Sequence, residues 1–420
     1  MRPALLDTLP GYSIGTFRAD LIAGLTVAMV ALPLSLAIAI ASGATPADGL
    51  ITAIVAGFLI SALGGSRVQV GGPTGAFIVV VFAVIAEHGY GGLVTATFMA
   101  GLILLCAGYL RAGNLIQHIP EPVVNGFTIG IALIIATSQI ADFLGLGLNH
   151  MPADFLEKLP VLWAARGSVN PWALGTGIAT LVLIILLRRI FPRGPGLIVA
   201  VGLTSALVWA FALPVETLQS RFGALPDRLP MPGLPDLSPQ TLVALFPSAL
   251  VIAFLAGVES LLSAMVADRM HQSRHRPNAE LRAQGWANLA SALVAGLPAT
   301  GAIARTATSI RAGAETPVAG MIHALVLLLC LLIAGPLVSH MALPALAALL
   351  MLTSWNMSEP HHWPHYLRLR TSDKVLLGLT MVLTLLVDLT VAIGVGVALG
   401  LAIRLRRRNV PPADWETPDR

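Results

Sequence analysis

Between Asp20 and Asp48 the chain carries no charged side chain, and charge-free runs of this kind recur along its length. Asp48 and Arg67, Arg67 and Glu87, Arg166 and Arg188, and Asp236 and Glu259 bound further examples. From Glu315 to Glu359 the only Asp, Glu, Lys, Arg or His side chains between the two ends are His323 and His340. About 20 apolar residues in an α-helix span the hydrocarbon core of a bilayer, and a helix satisfies its backbone N–H and C=O groups there. Only 11% of the residues are charged, against about 25% in a soluble domain. An ordinary cytosolic enzyme is thereby excluded. The 40 Gly and 29 Pro fall within apolar runs, as they do in membrane helices. The expected fold class is an all-α polytopic membrane protein.

Fourteen segments are read from the pattern. In the first half they are Leu21–Ala41, Ala47–Leu63, Thr74–Ala86, Gly92–Leu110, Pro122–Ile140, Pro171–Ile190 and Leu197–Leu213. In the second they are Leu242–Ala267, Ala279–Leu297, Arg305–Arg311, Pro317–Ser339, Leu343–Trp355, Ser372–Val387 and Leu389–Ile403. Phe155–Ala165 and Glu359–Arg370 read as interfacial stretches. Seven segments per half force the halves to insert in opposite orientations, the inverted-repeat plan of many secondary transporters. The expected organisation is a first repeat over 1–213, a connecting loop over 214–239, a second repeat over 240–404 and a cytoplasmic tail over 405–420. Sequence symmetry is faint: at an offset of 230, Ser61-Ala62-Leu63 falls on Ser291-Ala292-Leu293.

Charge tests this map independently. With both termini in the cytoplasm, its loops hold Arg67, Arg111, Arg188, Arg189, Arg193, Arg269, Arg274, Arg276, Arg311, Arg368, Arg370 and Lys374, and the opposite face only Lys158, Arg166, Arg221 and Arg228. That is the direction of the positive-inside rule. The chain's 23 Arg against 2 Lys read as the codon bias of a GC-rich bacterial genome. The expected location is the bacterial inner membrane, multi-pass, with both termini cytoplasmic. Residues 1–20 lack the apolar core of a cleavable signal. The scattered positive charges argue against nucleic acid. Cys106 and Cys330 lie in apolar runs and read as buried thiols.

The third segment of each half is too short to span. Val68-Gln69-Val70 reads as extended chain, Gly71-Gly72-Pro73 as a break, and Thr74, Gly75 and Ala76 open a helix whose first N–H groups are free. Pro298 to Ala304 repeats the plan, with Arg305 and Thr306 opening the second short helix. Two half-helices in inverted repeats point their N-termini at one another, each carrying about half a positive charge. With unpaired N–H groups this makes an anion site, to which Arg305 adds a full charge. A pair of simple kinks is the structural alternative.

Glu259 lies in the middle of segment 8, and an intramembrane carboxylate is functional by default. Desolvation and the nearby Arg305 act on its proton in opposite senses, which suits a proton-coupling residue; a structural ion pair with Arg305 is the alternative. Ser263 lies one turn along on the same face. His361, His362 and His365 lack a regular ligand spacing, so no metal site is expected. Asp268 and Asp388 read as helix-end residues. No Walker loop, zincin motif or nucleophile elbow is present, and no enzyme is expected.

Three stretches resemble the SulP family of anion transporters, solute carrier family 26 in animals. They are Pro46 to Ala53 followed by Gly64-Gly65-Ser66-Arg67, then Ile119 to Gly130, and Val387-Asp388-Leu389-Thr390. The chain departs from the family pattern at Asp48 and Ile51, where Tyr is usual, and at Val68. It departs again at Ala31, Leu34 and Ile38 in segment 1, and at Ala304 before the Arg. The resemblance implies a core domain (segments 1–4 and 8–11) moving elevator-like against a gate domain (5–7 and 12–14). It places the anion at Thr74, Gly75, Ala76, Ala304, Arg305 and Thr306, with Glu259 at the family's segment-8 acid. It covers the membrane domain without the C-terminal STAS domain, since the chain ends 16 residues after Arg404.

The expected function is secondary active transport of a small anion. Inward transport opposes an inside-negative potential by about 2.3 kcal/mol per charge per 100 mV, so it needs a coupled ion. The expected reaction is proton symport of a dicarboxylate such as fumarate. Sodium-coupled bicarbonate or sulfate transport and uncoupled exchange or a channel are the alternatives. No resident cofactor is expected. The partners are the anion, the lipid bilayer and, as a homodimer, a second copy of the chain.

Overall fold

The computed structural model describes residues 2–114, 121–148, 151–152, 154–191, 196–387 and 389–406. A short α1 (Leu5–Thr8) precedes α2 (Ile14–Ala41) and α3 (Pro46–Leu63). The strand β1 (Gly71–Gly72) then leads through one 3-10 turn, Gly75–Phe77, into α4 (Ile78–Tyr109). After α5 (Glu121–Leu144) come a surface helix α6 (Phe155–Ala164), then α7 (Pro171–Ile190) and α8 (Gly196–Ala210). The connection holds a short α9 (Leu218–Phe222). The second half runs α10 (Pro239–His271), α11 (Pro277–Leu293), β2 (Thr300–Gly301), α12 (Ile303–Arg311) and α13 (Val318–Val338). It ends with α14 (Leu343–Met357), α15 (Trp363–Tyr366), α16 (Thr371–Leu386) and α17 (Leu389–Arg406).

Helix starts follow local chemistry. Ser13 caps α2 by accepting from the Thr16 N–H at 3.1 Å, as an N-cap hydroxyl does. Thr45 and Asp48 form a reciprocal capping box at α3, with Pro46 in the first turn. Asn170 accepts from the Trp172 N–H at 2.9 Å to start α7 behind Pro171. Expected segments 3 and 4 are joined as α4, with a break between them at Gly89, whose φ of +69° suits glycine alone. Among the described residues, seven helices are long and apolar enough to cross a bilayer, by length and composition: α2, α3, α4 with its leading turn, α5, α7, α10 and α13.

The packing is reciprocal between the halves. α2 and α3 of the first half pack against α13 of the second, and α10 and α11 of the second pack against α4 of the first. Likewise α5 packs against α16 as α14 packs against α7, while α7 with α8 mirrors α16 with α17. Reciprocal contacts of this kind are consistent with two halves of opposite orientation, each packing its fourth segment on the other. Ile178, Val182 and Ile185 on α7, and Leu329, Leu332 and Ile333 on α13, are exposed. Apolar side chains on the outside as well as the inside mark helices solvated by lipid.

This outward apolar face corrects one expectation. Cys106 is exposed and Cys330 half-buried, both as free thiols, because an apolar run in a membrane helix faces lipid as readily as protein. Asp268, at the end of α10, accepts from the His275 N–H at 2.8 Å and so braces the loop to α11. Asp388, Ile119, Pro120, Arg193 and residues 407–420 lie outside the described residues.

Candidate functional site

The two half-helices start from one shared piece of backbone. β1 and β2 pair antiparallel, with Gly71 opposite Gly301 and Gly72 opposite Thr300. The Ala302 N–H extends the pairing to the Val70 carbonyl at 2.9 Å. Antiparallel pairing sends the helices that follow in opposite directions, so both N-termini lie beside the ladder. In α12 the first internal bond is made by the Thr306 N–H to Ala302, so the N–H groups of Ile303, Ala304 and Arg305 precede it. Such termini favour negative charge.

Glycine makes the close approach possible at two points. Gly72 has φ +146°, and a Cβ there would fall 2.2 Å from Arg305 Nη1. A Cβ on Gly301 would fall 1.4 Å from Gln69 Nε2. Neither position accepts a larger residue without displacing a buried polar side chain.

Arg305 reaches from α12 back across the ladder to the other half. Its Nη2 donates to Ser35 Oγ at 3.0 Å and to the Pro73 carbonyl at 3.1 Å. Nη1 lies 3.5 Å from the Gly71 carbonyl, while Nε has no partner among the described residues. The residue is 1% exposed. The guanidinium therefore sits behind the helix start and does not face open space. It holds the first half-helix in place and contributes its charge through the protein.

Glu259 of α10 comes to the same place from another direction. Its Oε2 accepts from Thr74 Oγ1 at 2.9 Å, and Thr74 stands at the N-cap position of the turn opening the first half-helix, its hydroxyl given to Glu259 and not to the N–H groups of the turn. Arg305 acts on Glu259 electrostatically, but no direct ion pair joins them among the described residues. A carboxylate held against the positive end of a helix occupies the field an incoming anion would use.

The residues expected to bind the anion divide by environment. Thr74 and Gly75 are buried at the start of the first half-helix and Ala76 is half-buried, while Ala304 is exposed at the start of the second. Thr306 is fully buried, and its hydroxyl accepts from the Val70 N–H at 3.0 Å and lies 3.2 Å from Ser263 Oγ. Among the described residues no hydrogen bond joins Ser263 to Glu259; Ser263 bonds Thr306. The two fasten α10, α12 and the chain before β1 together behind the site.

A second polar layer was not expected. Glu280 is fully buried, and its Oε2 accepts from the Gly65 and Ser66 N–H groups at 2.9 and 3.3 Å. Its Oε1 accepts from Ser260 Oγ at 3.2 Å and Gln284 Nε2 at 2.9 Å. Gln69 Nε2 donates to the Ser260 carbonyl at 3.1 Å, and Asn288 exchanges hydrogen bonds with the backbone of Ala299. The signal was present in the sequence: Glu280, Gln284, Asn288 and Ser291 recur at helical spacing, so one stripe of α11 is polar and must face protein. His362 and Tyr366 both bond Glu359, and no group of metal-ligating side chains occurs among the described residues.

Comparison with known proteins agrees with this architecture. The sequence model described as the sulfate permease family matches residues 17–380. YvdB of Bacillus subtilis, named as a proposed sulfate transporter, is 44% identical over 380 residues, which is 90% of this chain and 72% of YvdB. The transmembrane domain of a cyanobacterial bicarbonate transporter, BicA, superposes with a TM-score of 0.83 at 29% identity, covering 91% of this chain and 99% of that domain. The murine anion transporter Slc26a9, in its inward-facing state, shares the fold with a TM-score of 0.86 at 18% identity, covering 96% of this chain and 71% of that one.

Proposed function

The chain belongs to the sulfate permease family, and on that premise we propose that it is a secondary transporter whose small-anion site lies at the paired starts of the two half-helices. The observation that carries this reading is the antiparallel pairing of Gly71–Gly72 with Thr300–Gly301. It brings two helix N-termini to one point in a chain otherwise poor in charge. Irregular backbone at membrane depth is tolerated where it lines a cavity or is packed in protein, and broken helices of this kind form the midplane sites of transporters.

Glu259 is assigned the coupling role. As a carboxylate beside the Thr74 cap it competes with the anion for the same positive field. Taking up a proton removes the competition, so proton and anion favour each other's binding. Thermodynamic linkage makes that coupling reciprocal. Movement of the group formed by α2–α4 and α10–α13 against that formed by α5, α7, α8, α14, α16 and α17 then carries both ions across. Sodium near Glu259 would provide the same neutralisation and is the alternative coupling ion.

The similar proteins are named for sulfate and bicarbonate, which favours an inorganic oxyanion as cargo. A dicarboxylate such as fumarate rests on the range of cargoes in the family together with Glu259 and is the second reading. The location that goes with this function is a bacterial inner membrane, with the arginine-rich loops and both termini in the cytoplasm. The test is uptake of radiolabelled sulfate, bicarbonate, chloride, fumarate and succinate into proteoliposomes of the purified protein. Sulfate or bicarbonate uptake above protein-free liposomes is expected. Uptake of none of the five would overturn the reading.

A further inference from the structure

A cavity of about 200 Å³ lies between α4, α5, α6, α10 and α16. Ile78 and Val79, in the first turn of α4, line one end and Glu87 the other. Nine residues of helix separate Ile78 from Glu87, a distance of about 13 Å. The cavity therefore leads from the start of the first half-helix toward the break at Gly89 within α4, the turn between expected segments 3 and 4 that lies opposite the arginine-rich loops.

Lys158 of α6 lines this cavity, and its orientation is the reverse of what a surface helix normally shows. Leu156, Leu159 and Trp163 of α6 are exposed, at 56%, 45% and 69%, while Lys158 is 4% exposed. A lysine at a membrane surface usually extends its ammonium to water. Here the apolar side chains face outward and the ammonium faces in. Nζ donates to Ser138 Oγ at 2.9 Å and lies 5.4 Å from the centre of the Phe82 ring. Ser138 donates its own hydrogen to the Ile134 carbonyl at 2.9 Å, so it steadies the ammonium and leaves two N–H donors of Lys158 for a ligand. Ser248 of α10 and Thr384 of α16 line the same walls, the Thr384 hydroxyl being spent on the Thr380 carbonyl at 2.7 Å.

We propose that Lys158, steadied by Ser138 and joined by Ser248, forms a second anion subsite that receives a small oxyanion of the transported class on its way between the outer face and the half-helix site. The proposal rests on the transporter reading above. The same chemistry fits the phosphate of a lipid headgroup, and vesicle composition separates the two sources. Burial lowers the Lys158 ammonium to about 8, partly offset by the attraction of Asp154. Glu87 of α4 and Asp154, which precedes α6, bring carboxylates to the cavity, and Asp142, one turn beyond Ser138 on α5, pairs with Arg221 at 2.8 Å. Between about pH 7 and about pH 9 the lysine loses its charge while sulfate remains divalent, so affinity for sulfate falls as pH rises.

The test measures labelled sulfate uptake by wild type, Lys158→Gln and Lys158→Arg in vesicles of phosphatidylcholine alone. Lys158→Gln should raise KM by about tenfold with kcat within about twofold, and Lys158→Arg should restore KM. Wild-type KM should rise across the pH range more steeply than that of Lys158→Arg, in which the guanidinium does not discharge and only the rise set by the proton on Glu259 remains. If Lys158→Gln does not fold, the pH series on wild type and Lys158→Arg decides the matter. Unchanged KM in Lys158→Gln, or the same pH rise in Lys158→Arg, overturns the subsite. An effect of Lys158→Gln that arises only when phosphatidylglycerol is added assigns the ammonium to lipid and overturns it equally. Wild type that takes up no anion removes the transporter reading itself, a result distinct from transport with an indifferent Lys158.

Discussion

Thr74 donates a 2.9 Å hydrogen bond to Glu259 across 185 residues of sequence. It joins the cap of the first half-helix to the acid in the middle of α10. The bond links what the anion needs, an open helix N-terminus, to what the coupling ion needs, a carboxylate within reach. Hydrogen bonds to charged groups contribute about 1.5–3 kcal/mol.

Thr74→Val removes that donor while keeping shape and charge. The initial rate of anion uptake should fall by about tenfold, as loss of one charged hydrogen bond implies. Thr74→Ser should retain most of the wild-type rate. Equal rates in Val and wild type would detach the hydroxyl from transport.

Arg305→Ala should cost both stability and affinity. The carbonyl of Pro73 and the hydroxyl of Ser35 lose their partner, at about 1–3 kcal/mol for each buried group left unpaired. A thermal melt in detergent should drop by several degrees, and sulfate should no longer raise it by mass action. Arg305→Lys keeps the charge without the planar fork and should fall between the two. Full sulfate stabilisation in Arg305→Ala would show that the buried charge does not support the site.

Gly72→Ala pushes a methyl group into the guanidinium of Arg305 at a backbone angle that favours glycine. Transport should be lost or nearly so. Gly202→Ala, where a Cβ meets nothing within 4 Å, is the matched control and should transport as wild type does. Comparable activity in both variants would mean that the strand pair tolerates separation.

Glu280→Ala should act on the fold and spare the cargo. It leaves the N–H groups of Gly65 and Ser66 and the side chains of Ser260 and Gln284 without their shared acceptor. Each buried polar group left unpaired costs about 1–3 kcal/mol. The melting temperature should fall, while KM for sulfate in the folded fraction stays within about twofold. A selective change in KM would move Glu280 into the transport machinery.

The sequence told most where membrane physics leaves few choices. Charge-free runs located most helices to within a few residues, but α2 begins at Ile14 and takes Arg18 and Asp20 into the helix before the expected start at Leu21; the glycine-proline break at Gly71–Pro73 marked the first half-helix. Glu259 stood out because an acid at that depth is costly and functional by default, with an ion pair to Arg305 as the structural alternative. Partnership was harder to read. That Gly71 pairs with Gly301, its counterpart at an offset of 230, follows from a two-fold relation that three matching residues barely hint at. Arg305 was legible as a charge at a helix start, but its turn away from open space depends on Ser35 and the Pro73 carbonyl, which no local pattern announces. Thr306 and Ser263 carry hydroxyls that suit a site and instead bond each other, a choice made by the packing of α10 on α12. The polar stripe of α11 was readable by spacing and hidden by sitting in a segment judged only for its length.

The most direct measurement is accumulation of labelled anion in proteoliposomes under an imposed inward proton gradient, for wild type and Glu259→Gln, with exchange of internal for external anion as the control for folding. Wild type should concentrate the anion above equilibrium and lose it when the gradient is collapsed, whereas Glu259→Gln should exchange anion but accumulate none. Accumulation by Glu259→Gln equal to that of wild type would contradict the coupling of this acid to the paired half-helices.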